Sequence, residues 1–370
     1  MATDNAHIGT AHVSTPPDSP VEGEDSPPGV DLARLSTWLD AERPGLRQGP
    51  LRASVIAGGR SNLTYRLTDG ASEWALRRPP LGHVLPTAHD MAREFTVISA
   101  LYRSPVPVPE PIALCTDRNV LGEPFYLMGF VPGVVLERPE LVPNATVAQR
   151  ATETLVDTLV ALHSVDPAAV GLADFGRPDG FLQRQVKRWH QQFESSTEPD
   201  PNTTDVQALE VSVVRRLREQ LPESTRSGIV HGDYRLTNVL FEPDFAEDRA
   251  SIGAVVDWEM ATLGDPLTDV GLLYVYHDCA RISDTVMPDF PPELGFLSPE
   301  AMVARYADAT GRDIADLDWY IAFGYYKLSV IAAGIHARFQ QGKTIGEGFG
   351  VFGGLRDATM DAASARLGGN

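Results

Sequence analysis

The chain has 370 residues, of which 43% are hydrophobic and 22% charged, with a formal net charge of −19. That length and apolar content are enough for a two-lobed enzyme with a large core. The acidic balance argues against a nucleic-acid partner, whose binding needs basic residues to neutralise phosphates, and no apolar run approaches the roughly 18 residues of a membrane span.

Residues 1–30 hold five prolines, five carboxylates and no Lys or Arg. Such a segment cannot bury enough apolar surface to fold alone and reads as a disordered tail. It lacks the basic region and apolar stretch of a secretory signal. The two cysteines, Cys115 and Cys279, provide neither a disulfide framework nor a zinc site, so a cytoplasmic protein with reduced thiols is expected. Asp31 to Arg43 reads as a short helix with Leu32, Leu35, Trp38 and Leu39 on one face. From Val55 to Arg77 two strands are expected, joined by a turn at Asp69-Gly70. Gly58 and Gly59 let backbone N–H groups approach phosphate oxygens, and the Ser61 hydroxyl can add a donor. Gly59, Ser61 and Asn62 are the candidate nucleotide contacts of this turn. His89 to Ile98 has helical spacing, with Phe95, Ile98 and Leu101 along one side and Glu94 among them. Pro105 to Pro109 is a stiff connector leading to a strand pair, Pro111 to Cys115 and Pro124 to Phe130. Beyond about Val131 the pattern is mostly helical, with candidates at Val147 to His163, Phe181 to Phe193 and Trp319 to Phe339. Ser195 to Thr204 is polar, contains two prolines and reads as an exposed loop. The organisation expected is a tail (1–30), an amino lobe (31–130) and a carboxyl lobe (131–370).

The segment richest in chemistry is His231-Gly232-Asp233-Tyr234-Arg235-Leu236-Thr237-Asn238, followed nineteen residues after Asn238 by Asp257. Phosphoryl transfer from ATP needs a carboxylate to orient the attacking hydroxyl, oxygen ligands for Mg²⁺ and a cation facing the moving phosphoryl group. Asp233 can be the first, Asn238 and Asp257 the metal pair, and Arg235 the cation. Asp233 and Asn238 keep the D-x-x-x-x-N interval of the protein-kinase catalytic loop. Asp257 ends a short apolar strand, Ala254 to Val256, a firm mount for a carboxylate that grips a hard cation.

The HGD-x-x-x-x-N form, with Asp257-Trp258-Glu259 where protein kinases carry DFG, resembles the aminoglycoside phosphotransferase and choline kinase superfamily. The resemblance covers about residues 50 to 345. It implies an α+β, bilobal protein-kinase-like fold with a small antiparallel-sheet amino lobe and a larger, mainly helical carboxyl lobe. It also implies that His231 braces the catalytic loop and that Asp269, in Gly264-Asp265-Pro266-Leu267-Thr268-Asp269, buttresses it through backbone N–H groups. Glu259 could reach the metal or face a loop. The hinge between lobes would fall at Met128, Gly129 and Phe130, whose backbone would bind adenine. Where protein kinases place Lys in V-A-I-K, this chain has Arg77 in W-A-L-R, with Glu94 the expected partner; Arg78 is an alternative phosphate contact.

Further segments, among them Ala75 to Pro80, Gln183 to Trp189, and Ala322 to Arg338 with its Tyr325-Tyr326-Lys327-Leu328, are similar to one subgroup. It includes bacterial proteins named as aminoglycoside phosphotransferases and the kinase-like domain fused to certain acyl-CoA dehydrogenases. The resemblance implies an ATP- and Mg²⁺-dependent O-phosphotransferase acting on a small molecule, aminoglycoside-like or hydroxyacyl-CoA-like. Lys187, Arg188 and Arg338 could meet an anionic CoA. The alternative is a nucleotide-binding module without phosphotransfer.

Overall fold

The computed structural model describes residues 26–56, 62–81, 90–196, 204–224, 226–282, 288–342 and 349–368. Helix α1 (Leu32–Glu42) is capped by Asp31, whose carboxylate accepts the Arg34 N–H. That bond satisfies one of the donors a first turn leaves unpaired. The end of the acidic N-terminal segment packs on this lobe: Val30 is buried, and the Pro28 carbonyl accepts the Tyr65 hydroxyl at 2.6 Å.

Five strands follow: β1 (Arg52–Val55), β2 (Leu63–Thr68), β3 (Glu73–Arg78), β4 (Pro111–Cys115) and β5 (Phe125–Gly129). They form one antiparallel sheet in the order β1-β2-β3-β5-β4. The Asp69 carboxylate closes the β2–β3 turn by accepting the N–H groups of Ala71 and Ser72. β1 carries no buried residue, and its four-residue Arg-Ala-Ser-Val alternation is too short to mark an edge strand. Between β3 and β4 lies α2 (Met91–Leu101), capped by Asp90; the short α3 (Arg118–Leu121) precedes β5.

Strand alternation divides the sheet between two cores. Trp74, Leu76 and Leu127 pack with Leu35 and Leu39 of α1. Ala75, Tyr126 and Met128 face α2 and join the core that continues into the carboxyl lobe.

The carboxyl lobe is mainly helical: α4 (Ala145–Ser164), α5 (Phe181–Ser196), α6 (Thr204–Glu219), α7 (Leu267–Ile282), α8 (Pro299–Thr310), α9 (Leu317–Gln340) and α10 (Phe352–Arg366). Ser195 and Ser196, expected in a loop, close α5, and residues 197–203 lie outside the described ones. Most of α9 from Leu317 to Gly334 is buried, as expected of a helix apolar on all sides. It crosses α7 closely at Gly271, where a Cβ would stand 2.5 Å from the Tyr320 carbonyl oxygen. Among the described residues no helix is long and apolar enough to cross a membrane.

Two small two-stranded antiparallel sheets sit between α6 and α7. β6 (Gly228–Val230) pairs with β9 (Thr262–Gly264), and β7 (Val239–Phe241) pairs with β8 (Ile252–Val255). The loop between β6 and β7 and the residues after β8 therefore emerge side by side, facing the sheet of the amino lobe. The Val255 N–H donates to the Pro107 carbonyl at 2.8 Å, tying β8 to the connector before β4. The architecture is the expected one: α+β, bilobal, with an antiparallel sheet in one lobe and mostly helices in the other.

Candidate active site

The loop after β6 is built around Gly232. Its φ is +83°, and a Cβ there would lie 2.8 Å from the Met260 carbonyl oxygen, so only glycine fits. Asp269, in the first turn of α7, accepts the backbone N–H groups of His231 at 2.7 Å and Gly232 at 2.8 Å. Burial pushes the Asp269 carboxyl up, but the hydrogen bond with His163, the nearby His163 and His231 rings and the Gly232 N–H outweigh it, holding the group below the ordinary carboxylate value. His163 lies 3.3 Å from Asp269 through Nε2 and 2.9 Å from the Tyr306 hydroxyl through Nδ1. The Asp233 N–H donates to His231 Nδ1 at 3.2 Å. That bond sets the tautomer, leaving Nε2–H to donate to the Val256 carbonyl at 3.0 Å. His231 thus links the loop to the end of β8.

Both oxygens of the Asp233 carboxylate are engaged. Asn238 Nδ2 donates to Oδ2 at 2.8 Å and to the Asp233 carbonyl at 2.8 Å. The five-residue interval brings the two side chains together because Leu236 to Asn238 form a 3₁₀ turn. The Tyr276 hydroxyl donates to Oδ1. The Arg235 guanidinium is 3.5 Å from Oδ2 and lies over the Tyr276 ring, 4.9 Å from its centroid. Lys327 of α9 donates to the Gly232 carbonyl at 2.5 Å.

Asp257 follows β8 in the left-handed region, at φ 65° and ψ 58°. Asp tolerates this region better than most residues, at a cost of ~1–3 kcal/mol. The turn aims the carboxylate at the amino lobe, where Arg77 meets it at 2.5 Å. The Nε of Arg77 is 2.9 Å from Glu94, whose Oε2 also accepts the Tyr126 hydroxyl at 3.0 Å. Asn62 Nδ2 bridges Glu94 and Glu259, at 3.1 Å from each. Arg77 and Glu94 are 11% and 1% exposed, so this is an interior ion pair. Burial pushes Glu94 upward and the Arg77 charge opposes that.

Strand alternation separates the two candidate arginines. Arg78 points to the opposite face of the sheet, where its guanidinium donates to the carbonyls of Gly29 and Leu121. Met128 is buried, and Phe130 packs beneath the Arg66 guanidinium at 4.8 Å. The N–H groups of Gly129 and Phe130 are taken by the carbonyls of Glu110 and Glu73, at 2.8 and 3.4 Å. Gly58, Gly59 and Ser61 lie outside the described residues.

The model of the phosphotransferase enzyme family matches residues 52–320, a span that includes Arg77, Asp233 and Asp257. The chain belongs to that family. Mouse acyl-CoA dehydrogenase family member 10 is 33% identical over 300 residues, 80% of this chain but 27% of the mouse protein. The chain therefore spans about a quarter of that relative's length. A Ralstonia eutropha protein named for the aminoglycoside phosphotransferases has a TM-score of 0.76 at 29% identity, covering 91% of this chain and 98% of its own. A spectinomycin phosphotransferase has a TM-score of 0.57 at 11% identity, covering 91% and 98%, and shares the fold. The two lobes are thus those of the kinase-like fold.

Three contacts of the site went unread in the sequence. Tyr276 and Lys327 sit on α7 and α9, 43 and 94 residues beyond Asp233, and reach the loop only because those helices pack beneath it. Glu259, read as a residue that could reach the metal or face a loop, accepts from Asn62 across the cleft. Arg188 is close enough to Lys327 to act on its charge, whereas among the described residues Lys187 and Arg338 make no hydrogen bond or ion pair with the Asp233 cluster.

Proposed function

We propose that this protein is an ATP- and Mg²⁺-dependent O-phosphotransferase that moves the γ-phosphoryl group to a hydroxyl of a small molecule. The observation that carries this reading is the placement of Asp233 and Asn238, hydrogen-bonded to each other, beside Asp257 and Arg77. In this reading the Asp233 carboxylate takes the acceptor's hydroxyl proton as the new P–O bond forms and the bond to ADP breaks. Arg235 faces the charge on the transferring group.

The residues fit Mg²⁺. The Asn238 amide nitrogen is spent on Asp233, which leaves its Oδ1 as the remaining donor, and Asp257 supplies a carboxylate. Two protein oxygens suit a cation that completes its shell with water and phosphate. Among the described residues no group of three His, Cys, Asp or Glu could hold a metal without such help. Bound there, Mg²⁺ would neutralise phosphate charge. Arg77, held by Glu94, would contact the α- and β-phosphates, and Asn62 the phosphate side with Gly59 and Ser61. A base contact by Met128 to Phe130 would fall on groups other than the two engaged amides. The ADP in the spectinomycin phosphotransferase structure supports a nucleotide at this cleft.

The charges near Asp233 favour an acidic acceptor. Arg188 and Arg235 are each near enough to Lys327 to help lower its pKa, against the pull of Asp233 and Asp269. A polyamine acceptor would meet like charges there, whereas a hydroxyacyl-CoA-like acceptor would not. The name of the mouse relative supports the same choice. The test is ADP release by the purified protein with Mg²⁺ and ATP, using hydroxyacyl-CoAs in one panel and aminoglycosides in the other. Release driven by the acyl-CoA panel alone is expected. Release driven by aminoglycosides alone would overturn the acidic-acceptor reading, and Mg-ATP binding without release in either panel would favour the binding-module alternative.

A further inference from the structure

Lys327 is a lysine in the interior of a helix that is otherwise nearly all apolar or aromatic. It is 7% exposed and donates from Nζ to the Gly232 carbonyl at 2.5 Å. Its ammonium lies 5.3 Å from the centroid of the Trp189 ring on α5, a cation–π contact that offsets part of the cost of burial. The accepting carbonyl belongs to the peptide bond that joins Gly232 to Asp233. The other side of Gly232 is held by Asp269, through its N–H. A glycine at φ +83° has no side chain to restrict its backbone, so these two contacts set the plane from which Asp233 projects.

We propose that Lys327 is a positioning residue for phosphoryl transfer: its ammonium holds the Gly232–Asp233 peptide plane and so fixes the aim of the Asp233 carboxylate. This rests on the proposed role of Asp233 as the group that takes the acceptor's proton. Mis-aiming that carboxylate by about an ångström can cost about a hundredfold in rate. A neutral donor would make a weaker bond to the carbonyl than a charged one.

The buried Lys327 ammonium loses its charge at lower pH than an exposed lysine does. Burial pushes its pKa down to about 8, against the pull of Asp233 and Asp269 and helped by Arg188 of α5 and Arg235 of the loop. The ammonium is therefore present below that pH and is neutralised as pH rises through it, so turnover falls on the alkaline side.

The experiment measures ADP release and its pH dependence for wild type, Lys327→Met and Lys327→Gln, with the acceptor that gives the highest wild-type rate. Asp233→Ala and Mg-ATP calorimetry serve as controls. Expected for Lys327→Met is a kcat about a hundredfold lower, an unchanged Mg-ATP affinity and no alkaline decline near pH 8. Lys327→Gln can still donate to the Gly232 carbonyl and recovers about tenfold of that loss, also without the decline. Wild-type kcat and an unaltered pH profile in both variants would overturn the proposal, as would parallel loss of turnover and Mg-ATP binding in folded protein. Turnover retained in Asp233→Ala would instead sink the phosphotransfer reading itself. If neither Lys327 variant folds, the wild-type profile decides: no decline in kcat through pH 8 contradicts the inference.

Discussion

The guanidinium of Arg77, on the amino-lobe sheet, lies 2.5 Å from the carboxylate of Asp257, on the carboxyl lobe. The same guanidinium holds Glu94 at 2.9 Å through its Nε. One planar fork thus spans the cleft and joins two carboxylates. The compact ammonium that protein kinases place at this point is a point charge and has no such fixed fork.

Removing Arg77 has a stability cost as well as a functional one. Arg77→Met leaves Glu94, 1% exposed, without its cationic partner. Breaking an interior pair in this way costs about 3–5 kcal/mol. Chemical denaturation should show that loss, and calorimetry should show Mg-ATP affinity reduced about tenfold or more. Arg77→Lys should lose less stability, because one ammonium can still meet Glu94 or Asp257. Unchanged stability and affinity in Arg77→Met would refute the bridging role.

Asp269 predicts a pH dependence. Its folded-state pKa is held below the ordinary value. Its stabilisation is therefore fully present above the unfolded pKa of about 3.9 and is lost as pH falls through the lower folded value. Asp269→Asn weakens two charge-assisted bonds to the backbone N–H groups of His231 and Gly232. At neutral pH this variant should be less stable by about 2–4 kcal/mol. The gap should close in acid as the wild type loses the same contribution. Melting curves from neutral pH to below the folded value test this, and a gap that stays constant would contradict it.

Gly232→Ala should damage turnover more than nucleotide binding. The new Cβ meets the Met260 carbonyl oxygen at 2.8 Å, and φ is +83°. Strain of this kind costs ~1–3 kcal/mol. The Gly232–Asp233 peptide must shift, while Arg77 and Glu94 keep their places. A lowered kcat with a nearly unchanged Kd for Mg-ATP is expected; equal losses in both would show that the loop also shapes the nucleotide site.

Much of this site is legible in local sequence. The Asp233-to-Asn238 interval specifies a short loop, and the structure closes it with a side-chain hydrogen bond of 2.8 Å. Strand alternation, once β3 is placed, puts Arg77 and Arg78 on opposite faces, although sequence reading alone kept Arg78 as an alternative to Arg77. α1, α2, α4 and α5 follow from apolar periodicity, and α9 from its long, nearly all-apolar run. Tyr276 and Lys327 do not. Each sits in a helix whose apolar content announces a core, and a polar atom at the end of a core side chain has no periodic signature. Their meaning comes from the crossing of α7 and α9, a long-range event that no window of sequence contains. β1 escaped notice for the opposite reason: an exposed edge strand has no buried alternation to detect.

Asp257→Ala separates the metal from the phosphates. In wild type, Mg²⁺ should tighten nucleotide binding, since Asn238 and Asp257 offer the oxygens that would hold it. The variant should bind nucleotide with an affinity nearly independent of Mg²⁺. A Mg²⁺ titration identical to wild type would remove Asp257 from the metal site.

Asp233→Ala, assayed beside wild type for acceptor-dependent ADP release, tests phosphoryl transfer at this site most directly. Loss of the proton-accepting carboxylate should lower turnover by about a thousandfold while Mg-ATP affinity stays near that of wild type. Turnover close to wild type in Asp233→Ala would contradict the assignment of Asp233 and, with it, the mechanism built on that loop.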